Sequence, residues 1–177
     1  VQVAVVEYVP GVGAGRHLTR VLDPGVEVPQ AAADIHGITT ERARAEGEDP
    51  TVVIPAVVRI VEVSWRNATP VVAFNAPFDL VVLDRELRRH AGRPLDTSGM
   101  LVVDPLVVDR VCDRYRAGRR TLEALAAHYG VEAATAHDAF GDCLTAARVL
   151  ERQLRVTDTE APGRHSRPRT LDYAPLR

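Results

Sequence analysis

The stretch TPVVAFNAPFDL, Thr69 to Leu80, constrains the fold more tightly than any other part of the sequence. Val71 to Phe74 is a short run with no polar residue, the pattern of a strand covered on both faces in a parallel sheet. Asn75 follows at once as a favoured helix N-cap, and Pro77 falls in the first turn. Leu83 and Leu87 then carry an apolar stripe to a stop at Gly92 and Pro94. In open α/β sheets, ligands bind in the crevice at the carboxyl ends of such strands. Asp79, one turn into the helix, is predicted to point into that crevice.

The remaining elements extend the same architecture. Val1 to Val9 is apolar and β-branched, PGVGAG supplies a turn and RHLTRVLDP returns, which predicts an antiparallel hairpin. Valine favours strands in DPTVVIPAVVRIVEVSWRN. Yet Arg59, Glu62 and Arg66 recur at helical spacing behind Asp49-Pro50, which predicts a helix. MLVVDP reads as another short strand. PLVVDRVCDRYRAG and RTLEALAAHYG read as helices closed by Gly118 and Gly130. A last helix places Phe140, Cys143, Leu144, Ala147, Leu150 and Leu154 on one stripe. Beyond about Arg155, Pro, Arg, Thr and Ser dominate without periodicity. The expected organisation is therefore a domain over 1–154 and a tail over 155–177. The expected class is α/β, a mixed sheet of an antiparallel hairpin plus parallel strands, flanked by helices.

Charge excludes little. All 22 basic residues are arginine, and the formal net charge is −2, so a polyanionic partner would need a local basic rim or bound cations. Cys112 and Cys143 are too few for a disulfide scaffold or a structural zinc site and read as core thiols of a reducing, cytoplasmic compartment. Thr51 to Trp65 is too short and too charged to span a bilayer. His17, His90, His128 and His165 read as surface or packing residues, and Trp65 and Tyr129 as core.

The stretch AHDAFGDC, Ala136 to Cys143, repeats the pattern of NAPFD: small residues beside a carboxylate at a helix start. Taken singly, each aspartate is what the macrodipole and orphan N–H groups of any first turn prefer. His137 and Asp142 would lie on different faces of a continuous helix. With His137 in the preceding loop, both can reach one crevice.

Five stretches in order, VPQAAADIHGITTE, FNAPFDL, VVDPLVVDR, RRTLEALAAHYGV and AHDAFGDCLTAARVL, resemble the DEDD (DnaQ-like) 3′–5′ exonuclease family. They are similar to its subtype with a motif-III histidine, DEDDh. That group includes the proofreading epsilon subunit of bacterial DNA polymerase III. The resemblance covers roughly Val1 to Leu154. It implies a ribonuclease-H-like fold and two divalent cations, Mg²⁺ or Mn²⁺, held by four carboxylates. Asp79 and Asp142 match two of these, and His137 matches the histidine that takes a proton from the attacking water. Asn75 and Phe78 match positions beside the terminal nucleotide, and His36, Gly37 and Ile38 the segment lining its nucleoside pocket. The alternatives are a core place for Phe78 and, for His36-Gly37, a turn before a helix capped by Thr39. The implied activity is hydrolysis of terminal phosphodiester bonds of DNA to nucleoside 5′-monophosphates in proofreading or repair. The implied partners are the 3′ end of single-stranded or frayed DNA, with RNA open, and a DNA polymerase subunit.

The family's first motif, an Asp-x-Glu on the first strand, occurs neither ahead of the hairpin nor within it, and Glu7 is a poor substitute for it. The expectation is that the motif and its strand lie upstream of Val1, that strand sitting between the hairpin and VVAFN. Two further readings stand beside the DNA exonuclease: a nuclease-like module that has lost catalysis and docks nucleic acid or a polymerase, and a ribonuclease of the same family that trims RNA. Nothing in the sequence reads a 2′-hydroxyl unambiguously.

Overall fold

The computed structural model describes residues 1–134 and 138–155. His137 and the tail from residue 156 onward lie outside the described residues. The element order is β1 (Gln2–Val9), β2 (Gly13–Val21), α1 (Gln30–His36), α2 (Thr40–Glu46), α3 (Pro50–Arg66), β3 (Val71–Val72), α4 (Ala76–Ala91), β4 (Val102–Val103), α5 (Pro105–Cys112), α6 (Leu122–His128) and α7 (Ala139–Arg155).

The hairpin forms where the sequence places it. β1 and β2 pair antiparallel from Gln2 opposite Val21 to Val9 opposite Gly13, with an irregularity between Val6 and Tyr8. Gly11, in the turn, has φ +78, a conformation that glycine adopts without a Cβ penalty. β3 and β4 pair in parallel, Val71 with Val102 and Val72 with Val103. Among the described residues these are two separate ladders rather than one continuous sheet. The class is mixed α/β, with an antiparallel and a parallel pair of strands flanked by helices.

Two helices tie the ladders together. The valine-rich segment is helical, as its charge spacing predicts. Asp49 caps it by accepting from Thr51 N–H at 2.8 Å, and Pro50 occupies its first turn. Its buried stripe of Val53, Ile54, Val57, Val58, Val61 and Trp65 meets Leu87 of α4 and Leu95. Val3, Val5 and Leu18 of the hairpin and Val71 and Val102 of the parallel pair pack on the same core. At α7, buried Gly141, Ala146 and Ala147 are small enough to let its backbone approach a neighbour closely. The Cys143 thiol lies 3.6 Å from the Ala4 carbonyl of β1.

Three expectations are corrected. The helix predicted from Pro105 to Gly118 ends at Cys112. Asp109 is fully buried and accepts bonds from both Arg116 and Arg120. In a continuous helix Arg116 would stand about 10 Å further along the axis, so the chain turns back to let both guanidinium groups reach one carboxylate. Leu154 is exposed, because the last turn of α7 runs past the core. Tyr129 is only partly buried, since its hydroxyl reaches Asp109 at 2.9 Å while its ring packs on Leu125, Ala126 and Val149.

Candidate active site

The NAPFD turn is built by a residue far from it in sequence. Asn75 occupies the N-cap position of α4 in the left-handed region, φ 60 and ψ 44, where asparagine is among the better tolerated side chains. Its side chain makes no capping bond, contrary to the expectation for an Asn cap. With φ and ψ left-handed, it does not adopt the extended backbone usual for a capping residue. The buried Asp104 carboxylate takes over. It accepts from Asn75 N–H and Ala76 N–H, both at 3.1 Å, and from Leu106 N–H of its own helix at 2.9 Å. One carboxylate thus starts α4 and α5 together.

That turn leaves Asn75, Phe78 and Asp79 on the surface, with Ala76 buried beneath. Phe78 is 67% exposed, so the core alternative does not hold for it. Asp79 faces solvent, yet desolvation by the surrounding protein raises its pKa above the ordinary carboxylate value. The Asp104 charge adds to this, and a backbone hydrogen bond opposes it.

The start of α7 is fixed from β1. Asp138 accepts from Gly141 N–H at 3.1 Å as a helix cap, and its carbonyl accepts from Asp142 N–H at 2.9 Å. Gln2 holds this cap from both sides, donating to Asp138 Oδ1 at 2.9 Å and accepting from Ala139 N–H at 3.1 Å. Asp142 stands in the first turn of α7, half-buried. The next residue reports its surroundings. Burial pushes the Cys143 thiol up to about 11, and the charges of Asp142, Asp79 and Asp138 add to the shift.

Asp79 and Asp142 each offer hard oxygen donors, the kind that Mg²⁺ or Mn²⁺ takes. The raised pKa of Asp79 is what a neighbouring cation would reverse. Among the described residues no group of three or more His, Cys, Asp or Glu side chains is placed to hold a metal ion. The donors fit a divalent cation in kind, and the described residues supply two of them.

The HGI segment is built differently. Gly37 ends α1 at φ 69, and its N–H reaches the Ala33 carbonyl at 2.8 Å. His36 Nδ1 accepts from Ile38 N–H at 3.1 Å, and Thr39 caps α2 through Arg42 N–H at 3.2 Å. Ile38 is buried with Val28, Ala33 and Ala43. Within the described residues, the hydrogen bonds of His36, Gly37 and Ile38 do not reach Asp79 or Asp142. Glu7 is paired with Arg16 at 3.1 Å.

Sequence reasoning missed Asp104, Asp138 and Gln2 as positioning residues. The Asp-Pro pair at Asp104 signals a local cap, but nothing in the sequence announces its reach to Asn75. Among the described residues no helix is long and apolar enough to cross a membrane.

The family model described as RNase_T: Exonuclease matches residues 1–150. The fold is similar to that of E. coli Exonuclease I in complex with a dT13 oligonucleotide, with a TM-score of 0.69 and 20% identity over 85% of this chain and 36% of that one. It is also similar to a moderately thermophilic Exonuclease I from Methylocaldum szegediense, with a TM-score of 0.64 and 22% identity over 87% and 36% of the two chains. An ExoI/SSB-Ct complex matches with a TM-score of 0.65 and 18% identity over 86% and 37%. The chain thus spans little more than a third of the length of these proteins. No curated protein matches the sequence.

Proposed function

The chain belongs to the RNase_T exonuclease family, and from that premise we propose that it is the core of a metal-dependent 3′–5′ exonuclease. It hydrolyses terminal phosphodiester bonds of DNA and releases nucleoside 5′-monophosphates. The observation that carries this reading is a carboxylate in the first turn of each of two helices, Asp79 in α4 and Asp142 in α7, in a chain whose residues 1–150 match that family. The oligonucleotide-bound relative supports single-stranded DNA as the substrate.

In this reading Asp79 and Asp142 hold divalent cations, Mg²⁺ or Mn²⁺. When bound, such cations activate water and stabilise the leaving 3′ oxygen. His137, directly before the Asp138 cap, accepts the proton of the attacking water, and a histidine pKa near working pH suits that task. Exposed Phe78 and Asn75 lie against the terminal nucleotide. Gln2 and Asp104 act through the backbone, fixing the two helix starts on which the carboxylates stand. The setting is cytoplasmic proofreading or repair, with a DNA polymerase subunit as a partner.

The test is release of mononucleotides from a 3′-labelled strand by the protein as its gene encodes it, in Mg²⁺ against a chelator, on matched DNA and RNA. Activity on DNA should disappear in Asp79→Asn and Asp142→Asn. A second reading, a nuclease-like module that binds nucleic acid without cutting it, draws on the lack of a three-ligand cluster among the described residues. Metal-independent binding with no release of nucleotide would establish that reading instead.

A further inference from the structure

The segment from Arg110 to Arg120, RVCDRYRAGRR, holds five arginines and one aspartate in a chain whose net charge is −2. Two of those arginines have structural work, since Arg116 and Arg120 both bond the buried Asp109. Arg110 and Arg114 are exposed and make no ion pair within the described residues. With Val111 and Arg120 they line an open hollow of about 640 Å³.

Apolar and aromatic surface is interleaved with this charge. Leu106 and Asp109 turn the buried side of α5 inward. Val107, Arg110 and Val111 recur at helical spacing on the outside, and Arg114 follows past the helix end. Val111 is 64% exposed and Tyr115 82% exposed. The Arg114 guanidinium lies 5.7 Å from the centre of the Tyr115 ring, and that ring remains largely open to solvent. The same helix begins at Asp104, which holds the NAPFD turn, and Arg110 stands six residues on, about 9 Å along the axis.

We propose that the outer face of α5 and the turn after it, Val107, Arg110, Val111, Arg114 and Tyr115, is a track for single-stranded nucleic acid leading to the Asp79 site. Arginines spaced along a stripe match a polyanionic backbone, and an exposed aromatic ring stacks bases without regard to sequence. This rests on the exonuclease reading and adds to it the path of the strand behind its terminal nucleotide. It also supplies the local basic rim that an acidic protein needs to hold a polyanion.

The experiment measures binding of the full chain to a fluorescent oligo-dT by anisotropy across a salt series, in a chelator so that no cleavage occurs. Arg110→Ala/Arg114→Ala should weaken binding about tenfold and lower the slope of log affinity against log salt by about 1.4. Tyr115→Ala should weaken binding about tenfold with the slope unchanged. All these residues are exposed, and circular dichroism checks that each variant folds. Oligo-dT binding that the double variant leaves at the wild-type value and slope overturns the track, as does absence of binding by the wild-type chain. An acidic peptide that needs these arginines, while oligo-dT does not, overturns it in favour of a protein partner. Wild-type binding that the variants weaken, in a protein that releases no nucleotide with Mg²⁺, keeps the track and removes the exonuclease reading.

Discussion

Gln2 and Asp138, separated by 136 positions, hold one helix start between them. The Gln2 amide donates to Asp138 Oδ1 at 2.9 Å, while its oxygen accepts from Ala139 N–H at 3.1 Å. The first residues of the hairpin thus set where α7 begins, and with it the place of Asp142. Gln2→Ala removes both bonds and should destabilise the protein by about 1–2 kcal/mol in urea denaturation. Gln2→Glu should cost more, because it sets a second carboxylate against Asp138. Unchanged stability in both variants would show that the pair does not fix the helix.

Asp104 makes the equivalent link for α4. Asp104→Ala strands the N–H groups of Asn75, Ala76 and Leu106, at a cost of roughly 2–3 kcal/mol. Asp104→Asn, whose amide oxygen can still accept, should lose much less. Thermal unfolding of the two variants measures the difference, and equal losses would contradict a capping role.

Asp109 neutralises Arg116 and Arg120 in the interior and accepts from the Tyr129 hydroxyl. Asp109→Ala leaves two guanidinium groups without their carboxylate and should cost roughly 3–5 kcal/mol. Tyr129→Phe, which leaves the charges paired, should cost only about 1 kcal/mol. Similar values for the two would mean that the cluster is held by packing rather than by charge.

Glu62 predicts an acid limb of stability. Arg93 bonds both its oxygens, at 2.7 and 3.1 Å, and Asp96 N–H adds a third bond at 3.0 Å. The Arg93 hydrogen bonds hold its carboxyl below the ordinary value of 4.5; burial opposes them, and the Asp96 N–H adds to the lowering. A folded pKa that is depressed means stability present above 4.5 and lost as pH falls through the lower folded value. The gap in urea midpoint between wild type and Glu62→Gln should therefore be widest near neutrality and close between about pH 5 and pH 3. A gap independent of pH would refute the assignment.

Cys143 should be an unreactive thiol. Burial first, then the charges of Asp142, Asp79 and Asp138, push it up to about 11, so little thiolate exists at neutral pH. Alkylation at about pH 8 should be slow in the folded protein and speed up sharply in urea. Rapid labelling of the native protein would mean that the thiol is not buried against α7 and β1 as described.

Much of the fold is legible in the sequence where the signal is local. The hairpin follows from β-branched runs around a Gly/Pro turn, α3 from charge spacing behind Asp49-Pro50, and α4 from its apolar stripe and Gly92 stop. The α5 prediction fails for a physical reason. The helical pattern runs on past Cys112, but a buried carboxylate demands two arginines that a straight helix cannot deliver. The candidate site divides in the same way. Asp79 and Asp142 stand out as carboxylates in first turns, whereas nothing local marks the hold of Asp104 on α4 or of Gln2 on α7.

The sequence by itself determined the hairpin, the two short strands, α3, α4, α6 and α7, their order and the carboxylates at two helix starts, because propensity, capping and periodicity act over a few neighbouring residues. Only the tertiary structure decided that Gln2 holds the start of α7, that Asp104 caps a helix other than its own, and that α5 breaks at Cys112. Each of these depends on burying a charged or polar group against a partner distant along the chain. The cost of leaving such a group unpaired selects the partner, and that selection is made only when the whole chain packs.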